Sequence, residues 1–287
     1  MLLSCARSGP TVRERATSLA REHREGDAVR LLQDELAHHP GDVASRRLLV
    51  RVLALTGDLG GATREVRVLA GQLSDRDPLP SIELGHAFEL AHQYERALEM
   101  YDAATELSPD DPRGPREGGL RAARWGEVSW ARPRLEEAVK RGGDDVELWH
   151  ALGLVRLHAG DARGAEEAYR AGLRKDPAAW DCQLGLATVA VQRGDGASAL
   201  QAYDAIIRQR PTFAAAHLGR AWALAQLGRK DEAEAELVVA EQLGAGTTYV
   251  RAQRRAQGGA PPGSHDERAA SPTTEPAAAE PPARTPK

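Results

Sequence analysis

Asparagine is absent from all 287 residues, and lysine occurs only at Lys140, Lys175, Lys230 and Lys287, so most of the 38 basic residues are arginine. That bias suggests a GC-rich, bacterial coding sequence. Cysteine occurs twice, at Cys5 and Cys182. One such distant pair supports neither a disulfide framework nor a cysteine-built metal site, and Cys182 reads as a small packed residue. Aromatic residues make up only 4% of the chain, which leaves the apolar share mostly to Ala, Leu and Val. Ala and Leu head the helix scale, so the composition leans to helix. No window approaches the ~18 consecutive apolar residues of a membrane-spanning helix. A formal charge of −4 and a pI of about 6.2 give no general attraction to phosphate backbones, and no nucleic-acid partner is expected.

Signatures of chemistry are also missing. There is no Gly-x-Gly-x-x-Gly, no phosphate loop, no Gly-x-Ser-x-Gly and no His-Glu-x-x-His. His150 and His158 stand eight residues apart, about 12 Å along a helix at 1.5 Å per residue, too far to share a metal. The pairs Asp110-Asp111 and Asp144-Asp145 precede expected helices, where capping explains them better than acid–base catalysis. No catalytic residue, metal or cofactor is expected.

What the chain does contain is a period. Gly is followed five residues later by Ala at Gly126/Ala131, Gly160/Ala165, Gly194/Ala199 and Gly228/Ala233, each pair 34 residues after the last, with a further pair at Gly57/Ala62. Tyr101, Tyr169 and Tyr203 each follow an Ala by four residues, and Pro109, Pro177 and Pro211 each follow the Tyr by eight. A repeat of this length marks a stacked array of helix pairs. Gly after the first helix permits a left-handed turn, and Pro after the second cannot continue it.

These markers resemble the tetratricopeptide repeat, whose pattern runs Trp–x2–Leu–Gly–x2–Tyr, then Ala, an aromatic residue and Pro. Residues 146–179 carry Trp149, Leu152, Gly153, Ala165, Tyr169 and Pro177, departing only at Arg156, where the family has Tyr. The register places further units at 78–111, 180–213 and 214–247, and weaker ones at 9–42, 43–76 and 112–145. The resemblance implies an all-α, right-handed superhelical solenoid of about seven helix–turn–helix units, each an antiparallel helix pair, over residues 9–247. Within 112–145, Pro115, Gly118, Gly119 and Pro133 fall inside the helices. A degenerate, kinked repeat is the economical reading and a hinge the alternative. Residues 248–257 read as a capping helix and 258–287, with seven prolines, as a disordered tail.

In this family partners lie on the face made by the first helix of each unit. Carrying the register over places Arg47, Arg51, Ile82, His86, Glu89, Arg116, Leu120, His150, Leu154, Leu157, Leu184, Thr188, Val191, Leu218 and Trp222 there. The expected partner groove is thus Arg47, Arg51, His86 and Arg116, then His150, Leu154, Leu157, Leu184, Leu218 and Trp222, with Trp and Arg as anchors. A chaperone-type carboxylate clamp of Lys and two Asn is excluded, since there is no Asn. The expected role is a non-catalytic scaffold for other proteins or peptide segments.

Residues 1–8 add a further hint. Met1-Leu2-Leu3-Ser4-Cys5 resembles the end of a bacterial lipoprotein signal, with Cys5 as the lipidated residue, although only four residues precede Cys5 where a full signal needs a basic and apolar stretch. Either the pattern is chance or the start lies upstream. With a lipid on Cys5, the chain resembles repeat lipoproteins that help assemble pili or secretion pores at the outer membrane. Without one, it is a cytoplasmic adaptor in a regulatory or chaperone complex.

Overall fold

The computed structural model describes residues 10–246 and Val250. Cys5 with residues 1–8, the tail 258–287 and all of the expected cap 248–257 except Val250 lie outside the described residues. Among the described residues the secondary structure is all helical, fourteen helices in seven antiparallel pairs. Seven come first: α1 Val12–Arg21, α2 Glu25–His38, α3 Val43–Leu55, α4 Leu59–Gln72, α5 Leu79–Leu90, α6 Tyr94–Leu107 and α7 Arg113–Arg124. Seven follow: α8 Val128–Lys140, α9 Val146–His158, α10 Ala162–Lys175, α11 Trp180–Gln192, α12 Gly196–Gln209, α13 Ala214–Gln226 and α14 Lys230–Gln242. Pro115 is accepted in the first turn of α7, where the amide N–H has no helical partner, whereas Pro133 sits inside α8.

The chain forms two compact units, whose division runs through α7 and α8. The first holds residues 10–121 and 137–143, and the second residues 122–136 and 144 onward. In the first unit Leu32, Leu49, Val50, Val52 and Val66 share a core with the small residues Ala16, Ala28, Ala54, Ala62 and Ala87. In the second, Tyr169, Leu157, Cys182 and Val189 pack together, as do Tyr203, Val191 and Ile206. Val250 is buried with Ala221 and Leu237, on the last helix pair.

Helix ends follow from the local sequence. Asp42, Asp58, Asp145, Asp161 and Asp195 are N-caps whose carboxylates accept backbone N–H groups of the first turn. Asp144, beside a cap, instead holds the Trp149 indole N–H at 2.8 Å and pairs with Lys175. Between the helices of a pair the chain turns through the left-handed region: Gly57, Gly126, Gly160, Gly194 and Gly228 have φ between 74° and 81°. His23 and His92 occupy the same turn in the α1–α2 and α5–α6 pairs, at φ of 56° and 57°. A side chain there costs roughly 1–2 kcal/mol. Gly57→Ala is therefore expected to lower stability by about that amount. His23→Gly should raise it by up to about 1 kcal/mol, because Gly also gains freedom in the unfolded chain. Urea midpoints of the two variants check the opposite signs.

Tyrosine and glycine set the spacing of neighbouring helices. A Cβ built on Gly85 would come within 2.6 Å of the Tyr101 ring, one on Gly153 within 2.5 Å of Tyr169, and one on Gly219 within 2.3 Å of Tyr203. Gly172 likewise leaves room for Cys182, whose Sγ would lie 2.6 Å from such a Cβ. Cys182 is fully buried and burial pushes its thiol up to about 11, which makes it inert at neutral pH.

Candidate protein-binding surfaces

The first helix of each pair carries its chemistry at two register positions, and these differ between the two units. One position is Arg47, Ile82 and Arg116 in the first unit, then His150, Leu184 and Leu218 in the second. The other is Arg51, His86 and Leu120, then Leu154, Thr188 and Trp222. The same backbone thus presents ions in one unit and an apolar wall in the other.

In the first unit the ions form a network across α3, α5 and α7. Arg47 Nε donates to Glu83 Oε1 at 2.7 Å, while Arg51 donates from Nε to Oε2 and from Nη2 to Oε1, both at 2.9 Å. Glu83 is completely buried, so the two guanidinium groups supply the solvation that its carboxylate lost. His86, also buried, has Nδ1 3.1 Å from Arg51 Nη2 and Nε2 3.3 Å from Glu117 Oε2. Arg121 Nη2 donates to Glu117 Oε2 at 3.2 Å, its Nε lies 3.3 Å from Glu89 Oε2, and Arg116 Nη1 donates to Glu117 Oε1 at 2.8 Å. The His86 ring also lies edge-on to Tyr101, 5.7 Å between centroids.

Burial alone would raise the carboxylate pKa values and lower that of the imidazole. The neighbours outweigh it: the His86 ring and Arg51 hold Glu83 at about 2, and His86 with Arg121 holds Glu117 at about 2. Glu117 and Glu83 in turn push His86 upward against its burial. The sequence reading singled out Arg47, Arg51, His86 and Arg116 but not Glu83, which organises them. Its signal was available, as the one charged residue in the otherwise uncharged run Pro80-Ser81-Ile82-Glu83-Leu84-Gly85.

In the second unit a cavity of about 750 Å³ is lined by Leu157 and His158 of α9, by Leu184, Thr188, Val191 and Gln192 of α11, by Tyr203 of α12, and by Ala215, Leu218, Gly219, Trp222 and Gln226 of α13. None of these twelve residues is Asp, Glu, Lys or Arg, although those four types make up 28% of the chain. The wall is therefore suited to an uncharged surface, since an ion entering it would meet none of those four side chains. Trp222 keeps 44% of its surface exposed. Polar groups in the wall are tied to the frame: Gln226 Nε2 donates to Val191 O at 2.6 Å, Gln192 Nε2 to Leu157 O at 3.5 Å, and Thr188 Oγ1 lies 3.2 Å from Tyr203 Oη. The structure brings Leu157, Leu184, Leu218 and Trp222 together here. His150 and Leu154 do not line this cavity. His150 is half-buried with its ring 6.1 Å from that of Tyr169, and burial lowers its pKa. Thr188, Val191 and Tyr203 complete the wall. Among the described residues no group of His, Cys, Asp or Glu is placed to hold a metal ion, and no helix is long and apolar enough to cross a membrane.

Comparison with known proteins agrees with this geometry. Residues 118–179 and 184–247 match the tetratricopeptide repeat family. No curated protein matches the chain significantly. Among solved structures, YrrB, described as a TPR protein with an unusual peptide-binding site, is similar with a TM-score of 0.56 and 18% identity, over 66% of this chain and 97% of its own. A tetratricopeptide repeat protein from Parabacteroides merdae gives 0.53 and 14%, over 86% of this chain and 97% of its own. A chain of the APC/C hetero-tetramer Cut9–Hcn1 gives 0.58 and 14%, over 88% of this chain and 49% of its own. At these identities the likeness is one of fold, and that fold supports a scaffold for protein–protein interaction.

Proposed function

We propose that the chain is a non-catalytic scaffold that holds a segment of a partner protein, with the uncharged cavity around Leu157, Leu184, Leu218 and Trp222 receiving an apolar face of that segment. The observation that carries this reading is a half-exposed Trp in a wall without Asp, Glu, Lys or Arg. Trp is among the residues enriched as anchors of protein interfaces, and truncating such an anchor typically costs 2 kcal/mol or more. Trp222→Ala is therefore expected to weaken partner binding by about tenfold or more while leaving helicity unchanged. Leu218→Glu, which puts an unpaired charge into the wall, should act in the same direction.

The test is affinity capture from source-cell extracts by wild type and both variants, followed by binding constants for the captured partner. Proteins held by wild type and lost by both variants, at unchanged far-UV circular dichroism, support the reading. Equal capture by all three forms contradicts it. A loss of helicity in Trp222→Ala would mean that Trp222 belongs to the core.

For its cellular setting we propose the membrane-anchored role in assembling a pilus or secretion complex, resting on Leu2-Leu3-Ser4-Cys5 alone. Mass spectrometry of the protein expressed with its native upstream region is expected to find lipid on Cys5. An unmodified Cys5 and a protein confined to the soluble fraction would replace this setting with a cytoplasmic adaptor.

A further inference from the structure

Two cations share one anion at the edge of the charged network. Arg47 and Arg51 stand one turn apart on α3 and both converge on the carboxylate of Glu83. The trio carries a net single positive charge, and the other side chain against Glu83 is the His86 ring, at 3.6 Å. The two arginine side chains are 39% exposed, while Glu83 is completely buried. Arg47 uses only Nε on Glu83, and Arg51 uses Nε and Nη2. Both terminal nitrogens of Arg47 and Nη1 of Arg51 therefore meet no acceptor among the described residues. A guanidinium donates through a planar fork that matches a carboxylate. Here that fork is already held in place from behind, so little side-chain freedom remains to be lost when an anion arrives.

We propose that Arg47 and Arg51 receive a carboxylate of a partner protein, an Asp or Glu side chain within an acidic segment, on the exposed side of the pair. Glu83 is a positioning residue: it fixes both guanidinium groups from the buried side and leaves their outer donors open. The second carboxylate brings the local charge to balance, two cations against two anions. This surface lies in the first unit, and its chemistry is opposite to that of the uncharged cavity, so each stands or falls without the other.

The test is selection of a phage-displayed library of random peptides on the full chain. Peptides with Asp or Glu enriched at one position are expected. A synthetic peptide of the selected sequence should bind about tenfold more weakly to Arg47→Gln, the loss expected when a hydrogen bond to a charged group is removed. Replacing its enriched acid by the amide should have a similar effect. In Arg47→Gln the buried carboxylate keeps Arg51 and His86. The triple variant R47Q/R51Q/E83Q removes the carboxylate together with both cations, so neither protein strands a buried charge, and the triple should also lose the peptide. Arg163→Gln, an 88% exposed arginine of the second unit, and Trp222→Ala should leave this binding unchanged. A selection with no acidic position, or acidic peptides that bind Arg47→Gln and the triple variant as tightly as wild type, overturns the proposal. Peptides lost in Trp222→Ala but kept in both arginine variants overturn it while supporting the apolar cavity.

Discussion

Tyr169→Ala is expected to lower stability by about 3–5 kcal/mol, as for other large buried aromatic side chains. Tyr169 is 1% exposed and lies between two glycines, Gly153 of its own helix pair and Gly185 of the next. A Cβ on either glycine would come within 2.5 Å or 2.4 Å of a ring carbon. The ring thus occupies space that both glycines leave open, and its removal empties both contacts at once. In a repeat array each pair is stabilised mainly by its neighbours, so the loss falls on α9 to α11 together. Urea denaturation followed by circular dichroism measures it.

The glycines supply a second reading of the same contact. Gly185→Ala in the wild type is expected to cost about 1–3 kcal/mol through overpacking against the ring. In the Tyr169→Ala background the clash is gone, and the same change should be neutral or gain up to about 1 kcal/mol, because Ala is the better helix former. That change of sign in a double-mutant cycle would not arise if Gly185 were conserving only backbone freedom in α11. Equal costs in both backgrounds would contradict the packing described here.

Glu83→Ala is expected to cost about 3 kcal/mol, the range seen when one partner of a buried ion pair is removed. Its arginines are 39% exposed and recover some hydration, which places the cost at the lower end of that range. Glu83→Gln, which keeps the shape and one acceptor oxygen, should cost less. The effect has a defined pH dependence. The folded-state pKa of Glu83 is about 2, below its ordinary value of 4.5. Its ionised form therefore contributes stability in full above the ordinary value, and that contribution is lost as pH falls through about 2. The Glu83 contribution to the gap in unfolding free energy between wild type and Glu83→Gln should accordingly be constant from pH 7 down to about 5 and close between about 4.5 and 2. His86 has the opposite sign. Its raised pKa favours the fold at low pH, and that contribution fades as pH rises through the folded-state value. A gap that stays open at pH 2 would mean that Glu83 is not held as an ion by His86 and Arg51.

The fold was legible because the 34-residue spacing is enforced by several independent physical needs. Gly160 makes a left-handed turn, Asp161 caps α10, and Tyr169 needs small neighbours. Each recurs in nearby pairs. His23 and His92 were less legible, since a search for glycine passes over a histidine that adopts the same backbone. His is among the residues enriched in that region, so the register alone could have found them.

The candidate surfaces were legible to different depths. Register placed Leu184, Leu218 and Trp222 on one face, and the structure sets them around one cavity with Leu157. Register could not tell which groups on that face are already engaged inside the protein. Arg47 and Arg51 read as wholly free anchors, but each gives part of its guanidinium to a carboxylate on the next pair, 36 and 32 residues away, and keeps only its outer donors open. His86 is buried among Arg51, Glu117 and Tyr101 rather than open to a partner. Such pairing depends on where side chains of different helices end in space, and a periodicity carries no information about that.

The most direct measurement places a photo-crosslinking amino acid at position 188, where Thr188 lines the cavity, and at position 68, where Val68 is 46% exposed in the other unit. Both proteins are irradiated in the source cell. A discrete adduct from position 188, absent from position 68 and lost when Trp222→Ala is added, is the predicted result. No adduct from position 188, or the same adducts from both positions, would contradict a partner segment seated in the uncharged cavity.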